Sequence, residues 1–424
     1  MQYSVIQRIV GLLLMVFSFT TLPPAAVGLW YGDGAIYPFI AAFFATLFVG
    51  VVMWFPVRKV KMEVRLRGGF IVVAVFWLVL GLSGSIPFML ADNPHMSLTD
   101  SVFESISALT TTGATVITNI DHLPHAILFY RQQLQWMGGM GIIVLAVAIL
   151  PMLGIGGMQL YRAETPGPMK DSKLTPRITE TAKALWYIYL GLTVACALAY
   201  WLAGMNGFDA ISHSFSTIAI GGFSTHDASM GYFNSTAIEI VAVVFMLLAG
   251  INFALHFLAW RGATLKPYLH DPEVRTYFLV LLVSATIASL YLYQTKTFDS
   301  VAGAIHHGVF QAVSIGTTSG FTTTDHYNWP GFLPVLLLFT SFVGGCAGST
   351  GGGMKVIRFL LLYKQGIREI TRLIHPNALI PVKIGKKALV GLNAVVLPGA
   401  EIGERAVIAA SAVLSKNGGI EPRS

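Results

Sequence analysis

The chain has 424 residues, of which 54% are hydrophobic and only 11% are charged. Soluble domains carry about 25% charged residues, so this composition excludes a soluble protein and indicates a polytopic membrane protein. The net charge of +7 does not indicate nucleic-acid binding, because the basic residues are concentrated in a few loops between apolar segments. Cys196 and Cys346 both lie in apolar segments, so we predict neither a disulfide nor a metal site.

A membrane-spanning helix needs about 20 apolar residues. On this criterion we predict eight spans, near residues 8–30, 37–55, 70–91, 127–153, 185–204, 236–258, 276–294 and 332–362. The first span begins like a signal peptide, with one early arginine and an apolar run. Its apolar character continues through PPAAVGLW and more spans follow at once, so we interpret it as a membrane helix.

Basic residues mark every second loop between the spans. They are Arg58, Lys59, Lys61, Arg65 and Arg67; Arg162, Lys170, Lys173, Arg177 and Lys183; Arg261, Lys266 and Arg275; and Lys355, Arg358, Lys364, Arg368 and Arg372. The positive-inside rule places these loops and both termini in the cytoplasm. Arg131 is an exception near the outer end of the fourth span, and we expect its long side chain to snorkel to water.

Three outer segments are too short and too polar to cross the membrane, and they align without gaps. They read DSVFESISALTTTGAT from Asp100, DAISHSFSTIAIGGFS from Asp209 and HGVFQAVSIGTTSGFT from His307. Each contains a glycine and, six residues before it, a serine: Gly113 and Ser107, Gly222 and Ser216, Gly320 and Ser314. They could be extracellular loops with ordinary turn glycines, but three segments in register, each between two spans, favour a repeated unit.

This unit has the properties of one side of a cation pore. A short helix that enters from outside directs its partly negative C-terminal end toward the membrane midplane. The extended loop that returns can present backbone carbonyls in place of the hydration shell of an ion. Glycine allows the backbone dihedrals that such a loop needs.

The stretch FVGGCAGSTGGGMKV, Phe342–Val356, interrupts the last predicted span with six glycines. Irregular backbone at membrane depth is tolerated only against protein or a water-filled cavity, so this stretch indicates a pore. It is similar to a phosphate-binding P-loop but lacks the Gly-Lys-Ser/Thr ending. A simple kinked helix would need only one or two glycines.

Four further polar residues lie on or beside the short helices: Glu104, Asp209, His213 and Gln311. They could tune the electric field of an outer vestibule, or act as helix caps and packing contacts. We favour the second interpretation.

The loops TTTGAT, IGGFST and TTSGFTTT, together with FVGGCAGSTGGGMK and LYRAETPGPMKD, resemble the membrane subunit of the Trk potassium-uptake system, the TrkH-like proteins. The resemblance runs from Met1 to about Leu389. It implies an all-α polytopic membrane protein with helix–pore-loop–helix repeats around a pore. The domains it implies are an N-terminal helix pair at 1–60, pore repeats at 61–160, 161–262 and 263–375, and a cytoplasmic tail at 376–424.

The resemblance also implies functional residues. The filter residues, whose backbone oxygens would bind potassium, are Thr111, Thr112, Gly113, Ile220, Gly221, Gly222, Thr318, Ser319 and Gly320. The gate loop below the filter would comprise Gly344, Gly345, Gly348, Ser349, Thr350, Gly351, Gly352 and Gly353. Sodium-conducting relatives often have serine at the first filter glycine, so Gly113 favours potassium.

The function that the resemblance implies is potassium uptake across the bacterial inner membrane, without catalysis and without a cofactor other than the transported ion. The implied partners are a second copy of the chain in a homodimer, a cytosolic nucleotide-binding TrkA-like regulatory subunit on the basic face, and the lipid bilayer. No nucleic-acid partner is implied.

The tail has a separate period of six residues. Aliphatic residues recur at Ile384, Val390, Val396, Ile402, Ile408 and Leu414. This hexapeptide pattern predicts a short tail like a left-handed parallel β-helix, and it resembles the last coils of a hexapeptide-repeat acyltransferase. The tail supplies only about two coils, fewer than such solenoids need to be stable alone, and contains no candidate catalytic histidine.

The repeat period places a fourth filter glycine near or beyond Ser424, where the chain has no further span. We therefore expect the family's fourth repeat to be missing, together with an arginine that the family uses near the gate loop. Three loops do not close a four-sided filter, which counts against conduction by the chain on its own. The alternatives are an inactive transporter fragment and a membrane-tethered acyltransferase-like chimera.

Overall fold

The computed structural model describes residues 3–60, 66–139, 141 and 178–375, and five short strands between 382 and 414. The chain divides into two units, Met1–Arg358 and Phe359–Ser424. The predicted motif LYRAETPGPMKD and the basic residues Arg162, Lys170, Lys173 and Arg177 lie outside the described residues.

The described residues of the first unit are organised as helices joined by short loops. The helices are α1 (Tyr3–Ser18), α2 (Leu22–Tyr31), α3 (Ile36–Trp54), α4 (Leu66–Gly84), α5 (Ile86–Leu90), α6 (Leu98–Leu109), α7 (His125–Gly139), α8 (Ile178–Leu202), α9 (Gly207–Ala219), α10 (Thr236–Ala249), α11 (Phe253–Gly262), α12 (Lys266–His270), α13 (Pro272–Gln294), α14 (Val301–Gly316) and α15 (Leu333–Val343). Helix α16 (Val356–Ile374) begins in this unit and continues into the second.

Four helical segments of the described chain are long and apolar enough to cross a membrane: Tyr3–Tyr31, Ile36–Val57, Lys183–Leu202 and Pro272–Gln294. Helices α10 and α11 are apolar enough together to form a fifth span, but they meet at an angle of 95°, as in a broken span or a re-entrant loop. The predicted span 236–258 coincides with this helix pair, and the expectation of one continuous helix is wrong. The predicted span 332–362 is divided by irregular backbone between Val343 and Val356.

The core of the first unit consists of several apolar clusters rather than one. One cluster joins the N-terminal helices to the first repeat through residues such as Phe39, Phe88 and Tyr130, which are fully buried. A second surrounds α8, α9 and α10, and a third packs α13 against α14 and α15. The three short helices α6, α9 and α14 each pack in this interior and begin the segments that contain the predicted filter glycines.

The second unit contains five strands: β1 (Val382–Ile384), β2 (Ala388–Val390), β3 (Val395–Val396), β4 (Val407–Ile408) and β5 (Val413–Leu414). Strand β1 is antiparallel to β2, whereas β2 is parallel to β4 and β3 is parallel to β5. In both parallel pairs the partners are eighteen residues apart: Val390 pairs with Ile408, and Val396 pairs with Leu414. Eighteen residues is three of the predicted hexapeptides.

Candidate ion filter and gate

Side-chain caps fix the starts of the three short helices. The Ser97 hydroxyl accepts a hydrogen bond from the Asp100 N–H at 3.2 Å, and the Asn206 side chain accepts one from the Asp209 N–H at 2.8 Å. Ser300 caps α14 in the same way. An N-cap satisfies one of the free N–H groups of the first helical turn. Asp209 is thus not the cap of its helix, as one interpretation of the sequence allowed, but lies in its first turn.

The three predicted filter segments share one unusual backbone conformation. The residue two before each glycine has a positive φ: +53° at Thr111, +52° at Ile220 and +71° at Thr318. All three side chains are β-branched, and such residues rarely adopt this region, at a cost of roughly 1–2 kcal/mol each. The glycines Gly113, Gly222 and Gly320 also have positive φ, from +75° to +88°. Repeated strain of this kind is typical of a functional site.

The same backbone hydrogen bond recurs in each segment. The N–H just before the glycine donates to the carbonyl of the serine that precedes the glycine by six residues. The pairs are Thr112 with Ser107 at 2.9 Å, Gly221 with Ser216 at 2.9 Å, and Ser319 with Ser314 at 2.8 Å. Three ordinary turn loops would not share both dihedrals and hydrogen bonds, so the segments are structurally equivalent.

Carbonyl groups of one segment lie against the glycine of the preceding segment. A methyl group at Gly113 would lie 2.2 Å from the Gly221 carbonyl oxygen, and one at Gly222 would lie 1.9 Å from the Ser319 carbonyl oxygen. No side chain fits at either position. The segments therefore follow one another in chain order, with backbone oxygens at each contact. At Gly320 an added methyl group would meet no described atom within 4 Å, so this side of the arrangement is open in the described part of the chain.

Glu104 and Arg131 form a buried ion pair behind the first two segments. Arg131 Nε lies 2.8 Å from Glu104 Oε1, and both side chains are 0% exposed. Arg131 also donates to the Ser224 carbonyl at 3.2 Å and to the Thr115 hydroxyl at 3.0 Å. The expectation that Arg131 snorkels to water is wrong, because a buried carboxylate on α6 provides it with a closer partner than water does.

Two other polar residues noted in the sequence, Asp209 and His213, support the second segment. Asp209 accepts hydrogen bonds from the Thr225 hydroxyl at 2.6 Å and from His226 Nε2 at 3.2 Å. His213 Nε2 lies 2.9 Å from the Ser224 hydroxyl. These contacts agree with packing and hydrogen-bonding roles. Gln311 is also fully buried, within α14.

The predicted gate loop, Gly344–Gly353, packs against the bend between α10 and α11. The Cys346 N–H donates to the Gly250 carbonyl, and the Phe253 N–H donates to the Gly348 carbonyl, both at 2.9 Å. A sharp bend removes helical hydrogen bonds, and buried backbone groups need replacement partners. The loop supplies them, which explains why the bend is stable at this depth.

The same loop contacts the second and third segments near the point where each short helix ends. The Gly352 N–H donates to the Thr318 hydroxyl at 2.6 Å, and the Thr350 hydroxyl donates to the Ile218 carbonyl at 2.8 Å. Lys355, just after the loop, donates through its ammonium group to the Gly351 carbonyl. The filter segments and the Gly-rich loop are thus one connected structure.

Sequence reasoning did not identify two residues that support this structure. Glu273, at the start of α13, accepts from the Ala347 N–H within the loop at 2.7 Å and from the Ile357 N–H just after the loop at 3.1 Å. Gln135 on α7 contacts the second filter segment, as described below. The available signal was a polar side chain inside an apolar span, which is costly unless it has partners.

The match to known proteins covers nearly the whole chain. The TrkH family profile, described as a cation transport protein, matches residues 36–391. The chain belongs to the TrkH family. It is 62% identical over 391 residues to the Trk system potassium uptake protein TrkH of Vibrio parahaemolyticus, covering 92% of this chain and 81% of that protein. It is 57% identical over 389 residues to the protein of the same name from Escherichia coli K12, covering 92% and 80%.

The fold matches a solved TrkH structure. The crystal structure of the potassium transporter TrkH from Vibrio parahaemolyticus superposes with a TM-score of 0.82 at 60% identity, covering 91% of this chain and 79% of that chain. This TrkH family member is therefore a multi-pass membrane transport protein and not an enzyme, and the described residues of its first unit are all-α.

Proposed function

We propose that this chain serves potassium uptake through a filter of backbone carbonyls. The observation that carries the proposal is the threefold repetition of filter geometry, with the Gly221 and Ser319 carbonyl oxygens set against the glycine of the preceding segment. Carbonyl oxygens at such positions can replace the hydration shell of a potassium ion. The names of the two relatives support potassium as the ion. The ion-binding residues are the nine filter residues named above.

We propose that Gly344–Gly353 is the gate. It contacts the filter at the ends of the short helices, and its hydrogen bonds to Thr318 and Ile218 hold it there. Its six glycines leave little side-chain volume to rearrange, so the loop can change shape at low cost. Opening would break these hydrogen bonds.

We also propose the location and partners that the sequence suggested. Both termini would be cytoplasmic in the bacterial inner membrane, since the basic residues lie in alternate loops. The chain would form a homodimer and bind a cytosolic nucleotide-binding TrkA-like subunit on the basic face. Excess Lys and Arg on that face gives it a positive surface potential that favours an acidic partner.

For the tail we propose coils of a parallel β-helix. The eighteen-residue offset of both parallel strand pairs is the length of one triangular coil of three hexapeptides.

Disulfide cross-linking tests this arrangement of the tail. Parallel neighbours lie about 4.8 Å apart, within the Cα range for a disulfide. In the full chain without its native cysteines, Val390→Cys with Ile408→Cys should therefore cross-link on oxidation. The pair Val390→Cys with Val413→Cys is the out-of-register control, and equal cross-linking of both pairs would contradict the proposal.

A second candidate is a transporter-derived chain that does not conduct by itself. The open side at Gly320 favours it, because an ion between three segments would keep one face outside the carbonyl ring. Such a chain would act only in association with another chain that completes the ring.

Growth of bacteria without their own potassium-uptake systems separates the two candidates. If the chain conducts, its expression should restore growth at low potassium, and Gly222→Ala should abolish that growth because no methyl group fits there. Absence of growth, with the chain present in the membrane, would support the non-conducting candidate. Co-purification with a full-length relative would then identify its role.

A further inference from the structure

Helix α7 carries a polar run, Arg-Gln-Gln-Leu-Gln from Arg131 to Gln135, inside an apolar segment. The last residue, Gln135, is 0% exposed. Its amide nitrogen donates to the Gly221 carbonyl at 2.8 Å. Its amide oxygen accepts from the Ser216 hydroxyl at 2.7 Å and from the Phe223 N–H at 3.2 Å. One side chain from the first repeat thus holds the second filter segment on both sides of Gly222.

The fit between Gln135 and the segment is tight. A methyl group at Gly221 would lie 2.4 Å from the Gln135 amide carbon, so a side chain at that position would displace the glutamine. The glycine at 221 is thereby explained by contact with Gln135 rather than by its own dihedrals, because Gly221 is absent from the positive-φ residues.

The second segment differs from the other two at this point. In the first segment the Ser107 hydroxyl donates to the Ala114 carbonyl at 2.6 Å, and in the third the Ser314 hydroxyl donates to the Phe321 carbonyl at 2.7 Å. Each of these serines braces the residue just after its own filter glycine. The equivalent Ser216 donates to Gln135 instead. The first and third segments are therefore braced internally, whereas the second is braced by another repeat.

We propose that Gln135 is a positioning residue that determines the preference of the filter for potassium over sodium. The inference rests on the proposed carbonyl filter. The Gly221 oxygen that Gln135 holds is the oxygen set against Gly113, at the contact between the first and second segments. The spacing and field strength of coordinating carbonyls distinguish potassium from the smaller sodium ion. Without the hydrogen bond from Gln135, the Gly221 oxygen can move toward the smaller sodium ion, which reduces the preference for potassium.

The test measures ion binding, so that it does not depend on conduction. The purified full chain is heated in detergent at increasing KCl or NaCl concentrations, and the rise in melting temperature gives an apparent Kd for each ion. Gln135→Met keeps the length of the side chain and removes its hydrogen bonds. We expect the ratio of sodium to potassium Kd to fall by about tenfold, the effect of losing one or two hydrogen bonds.

The matched control is Gln133→Met on the same helix. Gln133 donates to the Thr20 carbonyl at 2.8 Å, in the N-terminal helices rather than in the filter. This control should keep the wild-type Kd ratio even if it lowers the melting temperature. Ser216→Ala removes one of the bonds to Gln135 and should lower the ratio by a smaller factor, about threefold. If Gln135→Met does not fold, the Kd ratio of Ser216→Ala is used in its place.

The outcomes separate the inference from the function on which it rests. An unchanged Kd ratio in Gln135→Met would overturn the inference. If that variant does not fold, an unchanged ratio in Ser216→Ala would do so. The proposed filter itself would still stand in either case if Gly222→Ala alters ion binding. An equal fall in the ratio with Gln133→Met would show a general loss of packing and would also overturn it. A wild-type chain that does not prefer potassium would remove the proposed filter itself.

Discussion

The Thr318 hydroxyl accepts a hydrogen bond from the Gly352 N–H at 2.6 Å, which links the third filter segment directly to the Gly-rich loop. Thr318 has a φ of +71°, an unfavourable value for a β-branched residue. The bond therefore joins a strained filter residue to a loop that is nearly without side chains. Movement of the loop must disturb the filter, and movement of the filter must disturb the loop.

Loss of this bond should loosen the gate loop. Thr318→Val removes the acceptor, and the closed state of the loop loses about 1 kcal/mol of stabilisation from this hydrogen bond. The open fraction of the loop should therefore rise about fivefold. Cys346 lies in the loop and is 0% exposed, so its rate of reaction with a maleimide reports opening. In a Cys196→Ala background, Thr318→Val should react about fivefold faster than the parent. Thr318→Ser keeps the hydroxyl and should match the parent; equal acceleration by both variants would contradict the role of the bond.

The ion pair between Glu104 and Arg131 should be required for stability. Removing one partner of a buried pair leaves an uncompensated charge and costs about 3–5 kcal/mol. Arg131→Met should therefore lower the free energy of unfolding by an amount in this range, measured by denaturant titration in detergent. The half-buried pair Arg368 and Glu369, 3.6 Å apart, provides the control: Glu369→Gln should cost less than about 1 kcal/mol.

A double variant tests whether the cost comes from the unpaired charge. Arg131→Met combined with Glu104→Leu removes both charges, so its destabilisation should be well below the sum of the two single variants. Additive losses would mean that each side chain acts through its other contacts, such as the Arg131 bond to Ser224, and not through the pair.

The outer loops should lose stability as the pH rises. Burial lowers the pKa of His226, but hydrogen bonds to Asp209 and Asp121 outweigh this effect, so its pKa is raised above 6.5. Burial raises the carboxyl pKa of Asp209, but hydrogen bonds from His226 and Thr225 and the nearby histidines outweigh this effect and lower the pKa to about 2. Stability from a raised histidine pKa is fully present below pH 6.5 and is lost as the pH rises through the folded-state pKa.

Melting temperatures from pH 5 to 9 measure this effect. In the wild type, part of the fall in melting temperature should begin above the ordinary histidine pKa of about 6.5, and His226→Gln should remove that part. The variant should therefore be most destabilised, relative to the wild type, at the acidic end of the range. His270→Gln, at an exposed histidine bonded to the Lys266 carbonyl, is the matched control for the substitution itself. A His226→Gln profile parallel to that of the wild type would show that His226 does not carry the pH dependence.

Alanine at two filter glycines should show which side of the filter is open. Gly222→Ala and Gly320→Ala both place alanine at a positive φ, with similar strain of roughly 1–2 kcal/mol. Only Gly222→Ala also drives a methyl group into the Ser319 carbonyl oxygen, at 1.9 Å. Gly222→Ala should therefore lower the melting temperature far more than Gly320→Ala. Equal losses would mean that another segment occupies the space beside Gly320.

Local sequence was sufficient to predict several parts of this site. The positions of Gly113, Gly222 and Gly320 followed from the alignment of three segments, and all three have the positive φ that favours glycine. The break before Val356 followed from six glycines in an apolar run. Both features depend on backbone dihedrals, which are set largely by the residue itself and its neighbours. The roles of these residues in binding and gating stay predictions.

The partners of polar residues inside the membrane were not predictable from local sequence. The sequence places Arg131 close to water, yet it pairs with Glu104, and nothing in the local sequence connects Gln135 with the second filter segment that it holds. The 95° bend between α10 and α11 was also missed, because the loop that replaces its hydrogen bonds follows almost a hundred residues later.

The sequence by itself determined a polytopic membrane protein with three equivalent glycine-containing segments and a Gly-rich interruption, because apolar length, repeat register and glycine content are properties of consecutive residues. Only the tertiary structure decided which carbonyl faces which glycine, which buried charge pairs with which, and that Gln135 braces a segment of another repeat. In a low-dielectric interior a buried polar group must find a partner, and that partner is chosen by proximity in space rather than in sequence.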